Sequence, residues 1–98
     1  MRYALSVALE RLPGHSAYFG VHLPADVAQE IDEVSSGLRG GFGSVRVQAS
    51  IAGLSWRSSI FREAQRSSYL LLVGKRIREQ ARLNEGDLVQ LTIELVDF

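Results

Sequence analysis

The stretch Val45-Arg46-Val47-Gln48-Ala49-Ser50-Ile51-Ala52-Gly53-Leu54-Ser55-Trp56-Arg57-Ser58-Ser59-Ile60-Phe61 decides the fold class. Val45, Val47, Ala49 and Ile51 alternate with Arg46, Gln48 and Ser50, which is the period-two pattern of a strand with one wet face. Ala52-Gly53 interrupts the pattern before a second strand begins at Leu54, so a tight hairpin is predicted there. Arg46, Gln48 and Ser50 share one strand face, and Arg57, Ser59 and Phe61 share a face of the next strand. If those faces adjoin, they form a polar, arginine-bearing surface, whose plain reading is the wet side of an antiparallel hairpin. Trp56, Ser58 and Ile60 face the other way, and Trp56 reads as core with an indole N–H that needs a partner.

Working upstream, Tyr3, Leu5, Val7 and Leu9 mark one face of an opening strand. Pro13-Gly14-His15-Ser16 supplies a turn, because proline fixes φ and glycine admits positive φ. A second strand is predicted from Ala17 to about Leu23, and Pro24 suits the first turn of a helix. Val27, Ala28 and Ile31 give that helix its apolar stripe, with Asp26, Glu30 and Asp32 facing water. From Ser35 to Ser44 the composition turns to serine and glycine, a connection inside the domain.

Working downstream, a polar turn from Arg62 to Ser67 leads into a short apolar strand, Ser68 to Val73. Gly74 to Leu83 has helical spacing at Ile77 and Ala81 and ends at Asn84-Glu85-Gly86-Asp87, where Asn84 or Gly86 can turn left-handed. Val89, Leu91, Ile93 and Leu95 line a last strand. The count is six strands and two short helices, and each half reads strand, turn, strand, helix, loop, strand. Tyr18-Phe19-Gly20-Val21-His22-Leu23-Pro24 and Tyr69-Leu70-Leu71-Leu72-Val73-Gly74-Lys75 echo one another in pattern. The expectation is a mainly β domain over residues 1–98: a small closed six-stranded barrel from two β-β-α-β halves, capped by the two helices.

Composition bounds what such a barrel does. Ninety-eight residues fit one domain, and 46% hydrophobic with 22% charged residues describes an ordered globular chain. Eleven basic and eleven acidic side chains cancel, which counts against a dedicated nucleic-acid binder. Cysteine is absent, so disulfides and thiolate chemistry are excluded. Glu10 ends the first apolar run before a signal-peptide core could form, and no stretch is long enough to span a bilayer. The expected location is the cytoplasm, with no membrane partner.

No motif rises to a catalytic, metal or cofactor assignment. His15 lies in a turn and His22 on a strand beside a helix start, with few ligands or triad partners in prospect. Asp26, Glu30, Asp32 and Glu33 read as a solvated helix face rather than a catalytic acid pair. Gly40-Gly41-Phe42-Gly43 lacks the ending of a phosphate loop and precedes a strand. Gly86-Asp87 reads as turn chemistry, glycine for the backbone and aspartate for nearby amides. Lys75, Arg78 and Arg82 fall at i, i+3 and i+7 along one helix stripe, either a solvated face or an anion contact. The positions singled out for ligand or nucleic-acid binding are therefore Arg46, Gln48 and Arg57 on the hairpin, and Lys75, Arg78 and Arg82 on the helix.

Val45 to Ile51, the turn at Gly53 and Trp56-Arg57-Ser58-Ser59-Ile60 also resemble the bacterial domain-of-unknown-function family 1905. So do Leu23-Pro24-Ala25-Asp26-Val27 and the Ile77-Arg78 pair before Glu85-Gly86-Asp87-Leu88-Val89. The resemblance spans nearly the whole chain and implies a double-split β-barrel related to the swapped-hairpin barrels of AbrB-like and MazE-like regulators. In those the barrel comes from two chains; here one chain would supply both halves. The chain departs from the family at Arg62-Glu63-Ala64-Gln65-Arg66-Ser67-Ser68, where the family often has a glycine-containing basic turn.

The family brings no established activity. The leading expectation is a non-catalytic module that binds a small ligand or a protein, as a monomer or weak homodimer. An AbrB-like nucleic-acid-binding regulator is the second reading, and an enzyme whose site forms only in an assembly is the third.

Overall fold

The computed structural model describes residues 1–14, 18–35 and 43–96. His15 and the Gly40-Gly41-Phe42 segment, both weighed above, lie outside the described residues. The strands are β1 (Arg2–Ala8), β2 (Glu10–Arg11), β3 (Phe19–His22), β4 (Ser44–Ile51), β5 (Leu54–Glu63), β6 (Ser68–Leu72) and β7 (Leu88–Leu95). The helices are α1 (Ala25–Ser35) and α2 (Lys75–Gln80). One antiparallel sheet runs β1-β7-β4-β5-β6-β3-β2 and curls into a half-barrel.

Alternation does what it promises. Val45, Val47, Ala49 and Ile51 of β4 and Val89, Leu91, Ile93 and Leu95 of β7 are all buried, pairing about Ala49↔Ile93. Ala52 and Gly53 form the tight hairpin with φ of +52° and +81°, the left-handed pair that matches the twist of the flanking strands. Val27, Ala28 and Ile31 bury one stripe of α1, and Ile77 anchors α2.

The closed six-stranded barrel is corrected to this seven-stranded half-barrel. The predicted first strand breaks at Leu9, whose side chain is 1% exposed in the core. Its N–H donates to the Asp87 carbonyl (2.9 Å), and its carbonyl accepts from Gly86 N–H (2.8 Å). Leu9 is thus held by the turn before β7, at the point where the chain leaves β7 and takes up a two-residue ladder with β3. The two outermost strands follow one another in sequence but share no ladder.

Two other boundaries move. The polar turn after Phe61 is in fact the end of β5, which continues to Glu63 before a single 3-10 turn at Ala64–Arg66. Helix α2 stops at Gln80, and Arg82 turns left-handed at φ +58°. At the turn before β7, Gly86 takes φ +88° and the Asp87 carboxylate accepts from Asn84 N–H at 2.7 Å, the structural role read for both.

Strand neighbours are preserved when the β1–β2 stretch, β3 and β4 are exchanged for β5, β6 and β7. The exchange centres on the Val21↔Leu71 pair of β3 and β6, so His22 matches Leu72 and Gly20 matches Leu70. It also carries the cross-strand pair Arg11↔Phe19 onto Arg62↔Tyr69.

Candidate functional site

On the outer face of the sheet, over β2, β3, β6 and the end of β5, lies a cavity of about 840 Å³. Side-chain alternation puts His22, Leu70 and Leu72 on this face, because their neighbours Val21 and Leu71 point into the core. Leu12, Pro13 and Tyr18 rise beside them from the turn between β2 and β3, and Glu10, Arg11, Glu63, Gln65 and Arg66 complete the wall.

The floor has a definite chemistry. His22, with its side chain 15% exposed, sits between two carboxylates: Nδ1 is 2.7 Å from Glu10 Oε2 and Nε2 is 2.6 Å from Glu63 Oε1. A neutral imidazole carries one N–H, so two such contacts need a second hydrogen, on the ring or on one carboxyl. Arg66 approaches from the 3-10 turn, with a guanidinium nitrogen 2.6 and 2.9 Å from the two ring nitrogens and 3.7 Å from Glu10 Oε1. That nitrogen cannot lie along both ring lone pairs at once, so it covers the ring and does not bond in its plane.

Polar and apolar walls occupy matched places of the two halves. Where the first half has His22, the second has Leu72, and where the second has Glu63, the first has Leu12, the residue whose N–H donates to the Tyr18 carbonyl. The result is a groove that is ionic on one side and apolar on the other.

The helix stripe singled out in the sequence also meets at a concave surface. Lys75, Arg78 and Arg82 line a smaller cavity of about 370 Å³ with Glu79, Leu83 and Asn84. Arg78 is committed there: its Nε donates to the Val73 carbonyl at 3.1 Å, and its guanidinium lies 4.0 Å from the centre of the Phe19 ring. Arg11 covers the same ring at 4.8 Å.

The hairpin face forms as read, with Gln48 opposite Arg57 and Arg46 opposite Ser59. Glu94 of β7 stands beside Gln48 on the other flank, which dilutes the basic character of the row. Arg46, Gln48 and Arg57 line neither cavity, so the structure gathers the helix set and leaves the hairpin set apart.

Asp32 is not on the wet face of α1. It accepts from Arg62 (Nε to Oδ1, 3.1 Å) and from the Tyr69 hydroxyl (2.7 Å), tying the helix to β5 and β6. Among the described residues no group of three or more His, Cys, Asp or Glu side chains is arranged to hold a metal. No helix among them is long and apolar enough to cross a membrane.

A family model described as a domain of unknown function (DUF1905) matches residues 6–93. The chain belongs to the DUF1905 family. No curated protein matches it. The segment from Arg62 to Ser68 supplies Glu63, Gln65 and Arg66 to the groove of this DUF1905 domain. Sequence reading missed Glu10, Glu63 and Arg66 and set His22 aside, because their meeting depends on the order β5-β6-β3-β2, which brings strands distant in sequence side by side. The usable signal was narrow: a histidine and two leucines at outward positions of the two strands that echo one another.

Proposed function

We propose that this DUF1905 domain is a non-catalytic binding module whose small-molecule ligand lies in the groove floored by His22. The observation that carries the reading is the cavity's division into an ionic cluster (Glu10, His22, Glu63, Arg66) and an apolar wall (Leu12, Leu70, Leu72). Small-ligand sites combine a largely apolar enclosure with a few convergent polar groups, and a volume of this order suits them. A nucleophile hydrogen-bonded to His22 is what an acyl-transfer site would require. The ring instead faces two carboxylates and a guanidinium. The domain acts in the cytoplasm, as a monomer or weak homodimer.

The test is a ligand-observed magnetic-resonance screen of small amphiphiles against the wild type and Leu72→Glu. Leu72 is 37% exposed, so the change leaves the fold standing. Hits that vanish with Leu72→Glu support the reading. Hits indifferent to it, or turnover of a hit that depends on His22, would sink it.

A second reading, nucleic-acid binding in the manner of AbrB-like regulators, rests on Lys75, Arg78 and Arg82 lining one cavity. It is the weaker, because Arg78 is spent on Phe19 and Val73 and the chain has no net charge. Phosphate contacts make affinity fall linearly in log salt. An anisotropy titration on random duplex at low salt that shows such a slope, and loses it in Lys75→Ala/Arg82→Ala, would promote this reading over the first.

A further inference from the structure

We infer that the smaller cavity beside α2 receives a phosphomonoester, a doubly charged oxyanion held between Lys75 and Arg82. Both residues are poor choices for the fold at the places they occupy. The helix ends in the two hydrogen bonds of a Schellman turn, Arg82 N–H to the Glu79 carbonyl (3.2 Å) and Leu83 N–H to the Arg78 carbonyl (2.8 Å). That turn holds Arg82 at φ +58°, a conformation that glycine adopts at no steric cost and arginine does not. At the other end Gly74 gives no side-chain cap, and the first turn carries Lys75 with no acid, against the sense of the peptide dipoles. Folding alone favours glycine at 82 and an acid at 75.

Neither side chain finds a partner within the protein. Among the described residues Lys75 and Arg82 form no ion pair or side-chain hydrogen bond, although Glu79 lies at i+4 from the one and i−3 from the other. Both are exposed and line the same concavity, with Arg78 between them. The partners of Arg78 are neutral, the Val73 carbonyl and the Phe19 ring, so its position is fixed and its charge remains. Three cations thus face one carboxylate, Glu79, and leave two positive charges in excess. Residues that break a local rule with no structural gain are expected where a protein binds something. Here two of them converge on one cavity.

The size of the excess selects the ligand. A phosphomonoester carries nearly two negative charges at neutral pH and offers three acceptor oxygens. The Lys75 ammonium and the Arg82 fork can each take their own oxygen, and a cavity of about 370 Å³ accommodates the group with a small organic body. A phosphodiester has one charge and leaves half the excess unbalanced, which separates this ligand from a nucleic-acid backbone.

Three probes test the assignment: phenyl phosphate, its singly charged methyl ester and a random DNA duplex, titrated slightly above neutral pH into ¹⁵N-labelled protein with the Leu83 and Asn84 amides as reporters. Phenyl phosphate is expected to saturate these shifts about tenfold more tightly than the ester, the gain of one charge-assisted contact, with the duplex no tighter than the ester at matched phosphate concentration. Arg82→Gly should raise the urea midpoint of unfolding and yet weaken phenyl phosphate about tenfold or more, and Arg82→Lys should restore most of that affinity. Ester or duplex binding as tightly as phenyl phosphate would overturn the phosphomonoester assignment. A lowered midpoint or an unchanged affinity in Arg82→Gly, or no response to any probe, would overturn the site.

Discussion

Arg62 over Tyr69 and Arg11 over Phe19 are one arrangement made twice, a cross-strand arginine lying on the ring opposite it, 5.6 Å and 4.8 Å from the ring centres. Each arginine also meets an acid beyond its own hairpin, Asp32 for Arg62 and Glu85 for Arg11. The copies differ in burial. Arg62 and Asp32 are 24% and 31% exposed, and Tyr69, fully buried, adds a hydroxyl bond to the same carboxylate. In the other copy phenylalanine offers no hydroxyl, the ion pair is about twice as exposed, and the arginine lines the groove. One copy clamps α1 to the sheet while the other is left open beside the candidate site. The two halves share a strand arrangement and differ at matched places, His22 against Leu72 and Glu63 against Leu12.

The sharpest way to break this contrast is to cut the buried copy. Arg62→Ala should lower stability by about 2–3 kcal/mol in urea unfolding, because it removes the cation from a half-buried carboxylate and the cover from Tyr69. Tyr69→Phe makes the second copy resemble the first and should cost about 1–2 kcal/mol, as expected for losing a hydroxyl bond to a charged acceptor. A double-mutant cycle with Asp32→Ala, which removes the acceptor, should recover most of that as coupling energy; an additive result would mean that the hydroxyl bond carries nothing.

Arg82→Gly should raise the unfolding free energy by about 0.5–1 kcal/mol, because a left-handed φ strains every side chain but glycine. A loss instead would show that Arg82 is held by contacts, making the basic cavity part of the scaffold. Arg11→Ala should be the smallest effect, about 0.5 kcal/mol, as expected for an exposed ion pair and a solvated cation–π contact. A cost matching that of Arg62→Ala would abolish the distinction between the copies.

What could be read from the chain follows from the range of each signal. β4, β7 and the Ala52-Gly53 hairpin show themselves within a few residues, because alternation and positive-φ turn chemistry are local. The break at Leu9 does not. Leu9 continues the apolar alternation of Tyr3, Leu5 and Val7, and only the distant Gly86-Asp87 backbone diverts it. Asp32 sits at a helix position that periodicity assigns to water, and a β5 longer than predicted carries Arg62 to it. The same extension puts Glu63 beside His22. A predominantly basic stretch such as Lys75 to Arg82 stands out along a chain, whereas a mixed-sign cluster assembled from positions 10, 22, 63 and 66 is visible only once the strands are ordered.

The short detour at Leu9 has a consequence for how the protein can fail. Residues 2–11 protect both flanks of the sheet, β7 through β1 and β3 through β2, with one side chain as the pin between them. Detachment of this segment would bare two strand edges in a single event, each an invitation to a strand from another molecule. Exchange of that segment between two copies would restore every lost pairing in reciprocal fashion. In this protein, edge protection, local unfolding and the route to a domain-swapped dimer are therefore one degree of freedom, set by how firmly Leu9 is seated.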